Sequence, residues 1–262
     1  MIPQANIIAW SNRVPWKTNE QVEQDLVICR SLVEIFNDNF LAKSLAFRGG
    51  TALHKLYLQP QPRYSEDIDL VQIRSEPIKK TLTRLRNQLS FLGNPSVEQK
   101  RGNNTLKFRF ESEIPPIQRL RLKIEINCRE HFTELGWQWK EFEVNSNWFN
   151  GSCKITTYKL EELLGTKLRA LYQRRKGRDL YDLYQALTKQ DIDIEGLIQC
   201  YKRYISFSNG QPPSAKQFIK NMDQKIHNMN FNGDIVALIK PDESYDHEIA
   251  YDLIREKLIE KI

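Results

Sequence analysis

Residues 47–71 restrict the fold more than any other part of the chain. The stretch opens on Arg48-Gly49-Gly50-Thr51-Ala52-Leu53-His54-Lys55-Leu56. It closes on Arg63-Tyr64-Ser65-Glu66-Asp67-Ile68-Asp69-Leu70-Val71. Glycine lets a backbone turn sharply and approach a ligand closely. Thr51 is placed to cap a helix formed by Ala52, Leu53, Leu56 and Tyr57. A helix that begins beside two glycines offers unpaired amide N–H groups to an anion such as phosphate. After a proline-containing break, residues 66–71 read as a strand. Side chains alternate along a strand, so Asp67 and Asp69 share one face while Ile68 and Leu70 point to the other. Two adjacent carboxylates repel unless a cation lies between them. An oxygen-only pair suits Mg²⁺ or Mn²⁺, and Mg²⁺ suits nucleotide phosphates.

The surrounding pattern alternates helices and strands. Residues 20–36 carry Val22, Leu26, Val27, Cys29, Leu32, Val33 and Phe36 near helical spacing, with Asn19 as the expected cap. Residues 40–47 read as a strand leading into the glycine turn, and residues 1–18 as an irregular arm. Glu76-Pro77 opens a helix whose stripe is Ile78, Leu82, Leu85, Leu89 and Leu92. Residues 105–111 and 119–127 alternate strictly, with Ile114-Pro115-Pro116 between them, which predicts a hairpin. Leu106, Phe108, Leu120, Leu122, Ile124 and Ile126 face one way. Lys107, Arg109, Arg121, Lys123 and Glu125 face the other. Those cations either solvate their face or meet phosphate. The aromatics of residues 128–158 (Phe132, Trp137, Trp139, Phe142, Trp148, Phe149) read as core or interdomain packing rather than base stacking.

A second unusual stretch begins at residue 159. Leu160, Leu163, Leu164, Leu168 and Leu171 form a buried helical stripe, and Lys167 falls inside it. A buried lysine needs a carboxylate or a phosphate, unless it snorkels out at the edge of the stripe. Gly177 breaks this helix. Asp179 and Asp182 then share one face of the next. Residues 174–178 between them hold four cations, which suit a phosphate or an RNA backbone. The rest reads as helices over residues 192–204, from a Ser214 cap, and over residues 245–262, with a loop at 206–213.

Composition adds little that is specific. The 262 residues carry a net charge of +6 and a pI near 9.0, which fits plain solubility or a polyanionic partner. The four cysteines are widely spaced, a usage that fits a reducing cytoplasm. No apolar run approaches the ~20 residues of a membrane span, and the first residues lack the design of a signal peptide.

The Gly-Gly-Thr turn, helix and acid-apolar-acid strand resemble the polymerase-β-type nucleotidyltransferase superfamily. The fuller string, Gly-Gly-Thr-x-Leu followed by Arg-x-Ser-x-Asp-Ile-Asp-Leu, is similar to the AbiEii/AbiGii (MenT-type) toxin family of nucleotidyltransferases. That resemblance implies an α/β (α+β) protein. A mixed sheet with flanking helices would occupy residues 1–158. A C-terminal helical bundle, residues 159–262, would close over the cleft. It implies transfer of a nucleoside monophosphate from an NTP to RNA, such as the tRNA 3′ end, under restraint by an antitoxin. Asp67, Asp69 and Glu125 would hold metal. Gly49, Gly50, Thr51, Ser65, Lys167 and Arg178 would contact the nucleotide. Asp182, or alternatively Asp179, would be the essential partner of Lys167, with the other acid on an arginine. Three other readings stay open: a small-molecule or protein acceptor, a kinase-like reaction, and a catalytically idle RNA-binding module.

Overall fold

The computed structural model describes residues 2–100, 102–240 and 243–262, with the backbone alone at Asn209. The chain forms two compact units. The first comprises Met1–Leu56, Tyr64–Phe132 and Trp137–Thr157; the second comprises Tyr57–Arg63, Thr133–Gly136 and Tyr158–Ile262.

The first unit runs α1 (Gln4–Ser11), α2 (Asn19–Asn37), α3 (Asn39–Ser44), β1 (Leu45–Arg48), α4 (Gly49–Leu56), β2 (Asp67–Gln72) and α5 (Lys79–Gln88). It continues with β3 (Ser96–Lys100), β4 (Asn103–Glu111), β5 (Arg119–Asn127), β6 (Trp137–Asn145) and β7 (Asn150–Tyr158), which ends at the unit boundary. The strands form one sheet in the order β3-β4-β5-β2-β1-β7-β6. It is mixed: β2 runs parallel to β5 and β1 parallel to β7, while β1–β2, β3–β4 and β4–β5 are antiparallel. Alternation does what it predicts in the β4–β5 hairpin. Leu106, Phe108, Leu122, Ile124 and Ile126 have no exposed surface, and the polar partners on the other face stay half-buried or exposed. Removing that apolar area from water is the main favourable term holding the sheet to its helices.

The amphipathic α2 forms where its spacing predicts, but its cap is Thr18, whose hydroxyl accepts from the Gln21 amide, rather than Asn19. Two expectations fail in the first fifty residues. The supposed arm contains α1, which buries Ile7 and Trp10. The supposed strand over residues 40–47 is α3 for its first part, capped by Asp38, and only Leu45–Arg48 extends. The aromatic segment also departs from expectation. None of Phe132, Trp137, Trp139, Phe142, Trp148 and Phe149 is buried, and Trp139 is 67% exposed.

The second unit consists of α6 (Leu160–Gln173), α7 (Gly177–Lys189), α8 (Ile194–Asn209), α9 (Ala215–Ile226), α10 (Met229–Gly233) and α11 (His247–Lys257). Ser214 and Gln217 build the capping box that starts α9, as the Ser214 reading expects. The first half of the supposed loop over residues 206–213 is instead the last turn of α8, which ends at Asn209; the rest stays outside helices. The short α6–α7 junction folds tightly. A Cβ at Gly177 would come 2.1 Å from the Phe231 carbonyl oxygen, so only glycine fits there. Glu162, fully buried on α6, accepts from Thr133 Oγ1, the Glu134 and Leu135 amides and Tyr204 Oη. Those bonds fasten Thr133–Gly136 to this unit.

Candidate functional site

In the first unit the glycine turn and the acidic strand meet directly. The helix α4 begins at Gly49 itself, so Thr51 lies inside it and is not its cap. The Thr51 hydroxyl donates to the Asp67 carbonyl and lies 2.7 Å from Ser65 Oγ. These contacts tie the turn to the first residue of β2. Gly49 has φ +78°, and a Cβ there would lie 2.1 Å from Asp69 Oδ2. The backbone thus reaches the carboxylate at a distance no side chain permits. A buried ion pair fixes the far end of α4. Lys55 Nζ is 2.9 Å from Asp25 Oδ1 on α2, and Asp25 Oδ2 also accepts from Trp10 Nε1 at 3.0 Å.

The polar face of the sheet carries charges of both signs. Asp67 and Asp69 are half-buried on β2, and the parallel ladder sets Lys123 opposite Asp67 and Glu125 opposite Asp69. Lys123 Nζ lies 2.7 Å from Glu125 Oε2 and 3.9 Å from Asp67 Oδ2. Asn103 Nδ2 donates to Glu125 Oε1 at 3.3 Å. Arg48, opposite Asp69 in the antiparallel ladder, sends its guanidinium to Glu130 at 2.5 Å. Burial raises the Asp67 carboxyl to about 6; the Asp69 charge adds to the rise, and Lys123 only partly offsets it. The oxygen-only donors of Asp67 and Asp69 fit a hard divalent cation. Glu125 does not close a three-acid nest. Among the described residues, no three His, Cys, Asp or Glu side chains are gathered as a metal site. Lys123 occupies the Glu125 carboxylate instead.

In the second unit, Lys167 lies in the buried stripe with 8% of its side chain exposed. Its ammonium is 3.1 Å from Asp179 Oδ1 and 2.8 Å from Asp182 Oδ2, and both carboxylates are wholly buried. Each acid also holds an arginine by two bonds. Arg174 Nε and Nη2 donate to Asp179 at 2.6 and 2.8 Å. Arg63 Nε and Nη2 donate to Asp182 at 2.6 and 2.8 Å. Burial works to raise the Asp179 carboxyl, but the Lys167 charge and the Arg174 bonds prevail and hold it below its ordinary range. Lys167, Arg63 and the exposed Arg174 thus converge on the two buried carboxylates.

The spacing therefore finds Lys167, Asp179 and Asp182 as one cluster, and Asp67, Asp69, Ser65, Gly49, Gly50 and Thr51 as another. The distinction drawn between Asp179 and Asp182 does not appear: both meet Lys167, and both meet an arginine. Arg178, expected on the nucleotide, donates through Nε and Nη2 to Asp234 at 2.8 and 2.9 Å. Lys176 joins the same carboxylate. Of the four loop cations, Arg174, Arg175 and Lys176 are exposed and Arg178 is half-buried. Arg63 is the member that the sequence does not reveal. It sits in a loop beside Pro62 and meets an acid 119 positions away. Only its place in the Arg-x-Ser-x-Asp string marks it.

A family described as "Nucleotidyl transferase AbiEii toxin, Type IV TA system" matches residues 30–257. A search of curated proteins finds no match. Two solved structures share the fold. One is MenT4, a nucleotidyltransferase toxin from Mycobacterium tuberculosis H37Rv, at TM-score 0.65 and 16% identity; the match covers 98% of this chain and 88% of that one. The other is a putative nucleotidyltransferase from H. pylori, at TM-score 0.53 and 19% identity, covering 94% of this chain and 96% of that one.

Proposed function

The chain belongs to the AbiEii family of nucleotidyltransferase toxins, and on that premise we propose that its acceptor is RNA, the 3′ end of tRNA in particular, and that a cognate antitoxin restrains it. The nucleoside monophosphate comes from an NTP, and pyrophosphate leaves. The observation that supports this reading is the acid pair: Asp67 and Asp69 share one face, and burial together with the Asp69 charge pushes Asp67 up to about 6. Asp67 and Asp69, with Glu125 beside them, would hold Mg²⁺ or Mn²⁺, which supplies positive charge against the phosphate oxygens.

The chain's own groups do the positioning, which is the larger part of catalysis in phosphoryl-type transfers. The Gly49–Gly50 turn brings backbone close to Asp69 and lets the triphosphate approach without a side chain in the way. Thr51 and Ser65 fix that turn against β2. Lys167 steadies a phosphate of the nucleotide. Arg63 and Arg174 hold the Asp182 and Asp179 carboxylates in place, and these in turn orient the Lys167 amine.

The test offers each α-labelled NTP in turn, with Mg²⁺ and total RNA, to the wild type and to Asp69→Ala. Label enters RNA with the wild type and not with the variant. Equal labelling by both, or transfer of γ-label instead of α-label, overturns the reading.

A further inference from the structure

We propose that a cleft at the far end of β2, continuous with the exposed face of α5, holds single-stranded RNA. This inference rests on RNA being the acceptor and adds where on the first unit an unpaired stretch of it is held. The cleft has a volume of about 470 Å³, and its walls include Phe40, Lys43, Arg74, Trp137 and Trp139. That size suits a nucleotide-sized ligand. Arg74 follows Asp69 by five residues, so the cleft lies roughly 15 Å along the strand direction from the acids.

Three features favour RNA. The first is aromatic. Trp137 and Trp139 are alternate residues of β6, the edge strand, so they point to the same side, roughly 7 Å apart. A tryptophan 67% exposed on a sheet edge gains nothing from core packing. Indole faces accept any base by stacking. The second is charge. Lys43 and Arg74 are exposed beside these rings, and α5 reads Lys79-Lys80-Thr81-Leu82-Thr83-Arg84-Leu85-Arg86, four cations and no acid. Set against them are Glu76 in the cleft, Asp38 at 3.4 Å from Arg84, and, further along the tryptophan face of β6, Glu141, which pairs with Lys154 at 3.3 Å, and Glu143. The third is continuity. Lys80 Nζ lies 4.3 Å from the centre of the Phe40 ring, and Phe40 is itself a wall of the cleft. A second groove, lined by Pro77, Lys79, Lys80 and Arg84, carries the basic surface onward along α5. Stacking faces beside several exposed cations describe a single-strand site better than a protein-binding groove, whose centre is depleted of charge.

The test uses the full chain, a fluorescein-labelled 15-nucleotide single-stranded RNA of mixed sequence, and the variant Arg74→Glu/Trp139→Ala. Both side chains are exposed, so the fold is expected to survive; a second variant, Lys79→Glu/Lys80→Glu, probes the surface independently. Wild type binds the probe at low salt. Each variant binds at least tenfold more weakly, and the slope of log affinity against log salt becomes shallower by about 0.7 for each phosphate no longer neutralised. Unchanged RNA affinity in both variants overturns the proposal and leaves the face to a protein partner. If the wild type labels RNA from an α-labelled NTP while variants and wild type bind the probe alike, this surface alone is refuted. If the wild type neither labels nor binds RNA, the RNA-acceptor reading falls, and the surface with it.

Discussion

The two clusters of buried charge are built on opposite plans. In the first unit, Asp67 and Asp69 stand on one strand face with Lys123 only partly answering them, and Asp67 is pushed up to about 6. In the second, Asp179 and Asp182 are overmatched by Lys167, Arg63 and Arg174, and Asp179 is held low. Burial penalises both sets of carboxylates, so the difference lies in the company each keeps. The first sets a lysine of the neighbouring strand against two half-buried acids; the second sets a lysine and two arginines against two fully buried ones.

Breaking the first cluster has the largest expected effect. Asp69→Asn keeps the shape and removes the charge. NMP transfer falls by about a thousandfold or more, several kcal/mol of lost charge stabilisation, while circular dichroism stays unchanged. Full activity in that variant would detach the acid face from the chemistry. Breaking the second cluster strikes stability first. Arg63→Ala leaves Asp182 buried with one fewer partner, and removing one member of a buried pair costs about 3–5 kcal/mol. Chemical denaturation measures this, and a loss under about 1 kcal/mol would show Lys167 to suffice for both acids. Gly49→Ala comes next: its φ of +78° and the approach to Asp69 force the turn to shift. Transfer falls about ten- to a hundredfold, read mainly in kcat because the strain lies at the reacting end. Glu125→Gln is the mildest. Its carboxylate is 32% exposed and is answered by Lys123, and pairs this accessible contribute about 1 kcal/mol or less. A loss of activity as large as that of Asp69→Asn would place Glu125 among the metal-binding groups on equal terms.

Legibility in the sequence followed the reach of the interactions. The β4–β5 hairpin, α2 and the α6–α7 pair were readable because two- and 3.6-residue periods are local. Lys167 was readable because a lysine in a leucine stripe breaks such a period. α1 was not, since Ile7, Ile8 and Trp10 mark no consistent stripe and it buries little. α3 was missed because Phe40, Leu41 and Ala42 fit either period over so short a run. Arg63 was hidden by distance along the chain: nothing near residue 63 announces an acid at 182. The partnership of Glu125 with Lys123 was hidden differently. Both share one face of β5, but which β2 acid stands beside each is decided by ladder register, and periodicity does not carry that.

The central claim is that the acid pair of the first unit waits for a cation. Calorimetric titration of Mn²⁺ into the wild type and Asp69→Asn, about one pH unit below and above 6, tests it most directly. Because the folded Asp67 carboxyl titrates near 6, above its ordinary value, the metal-free protein loses stability as pH rises from about 4 to about 6, and that charged form is the one that binds. The account predicts tight binding by the wild type at the higher pH, binding weaker by about tenfold at the lower, and none by Asp69→Asn at either. Binding that ignores pH, or that survives in Asp69→Asn, would contradict it.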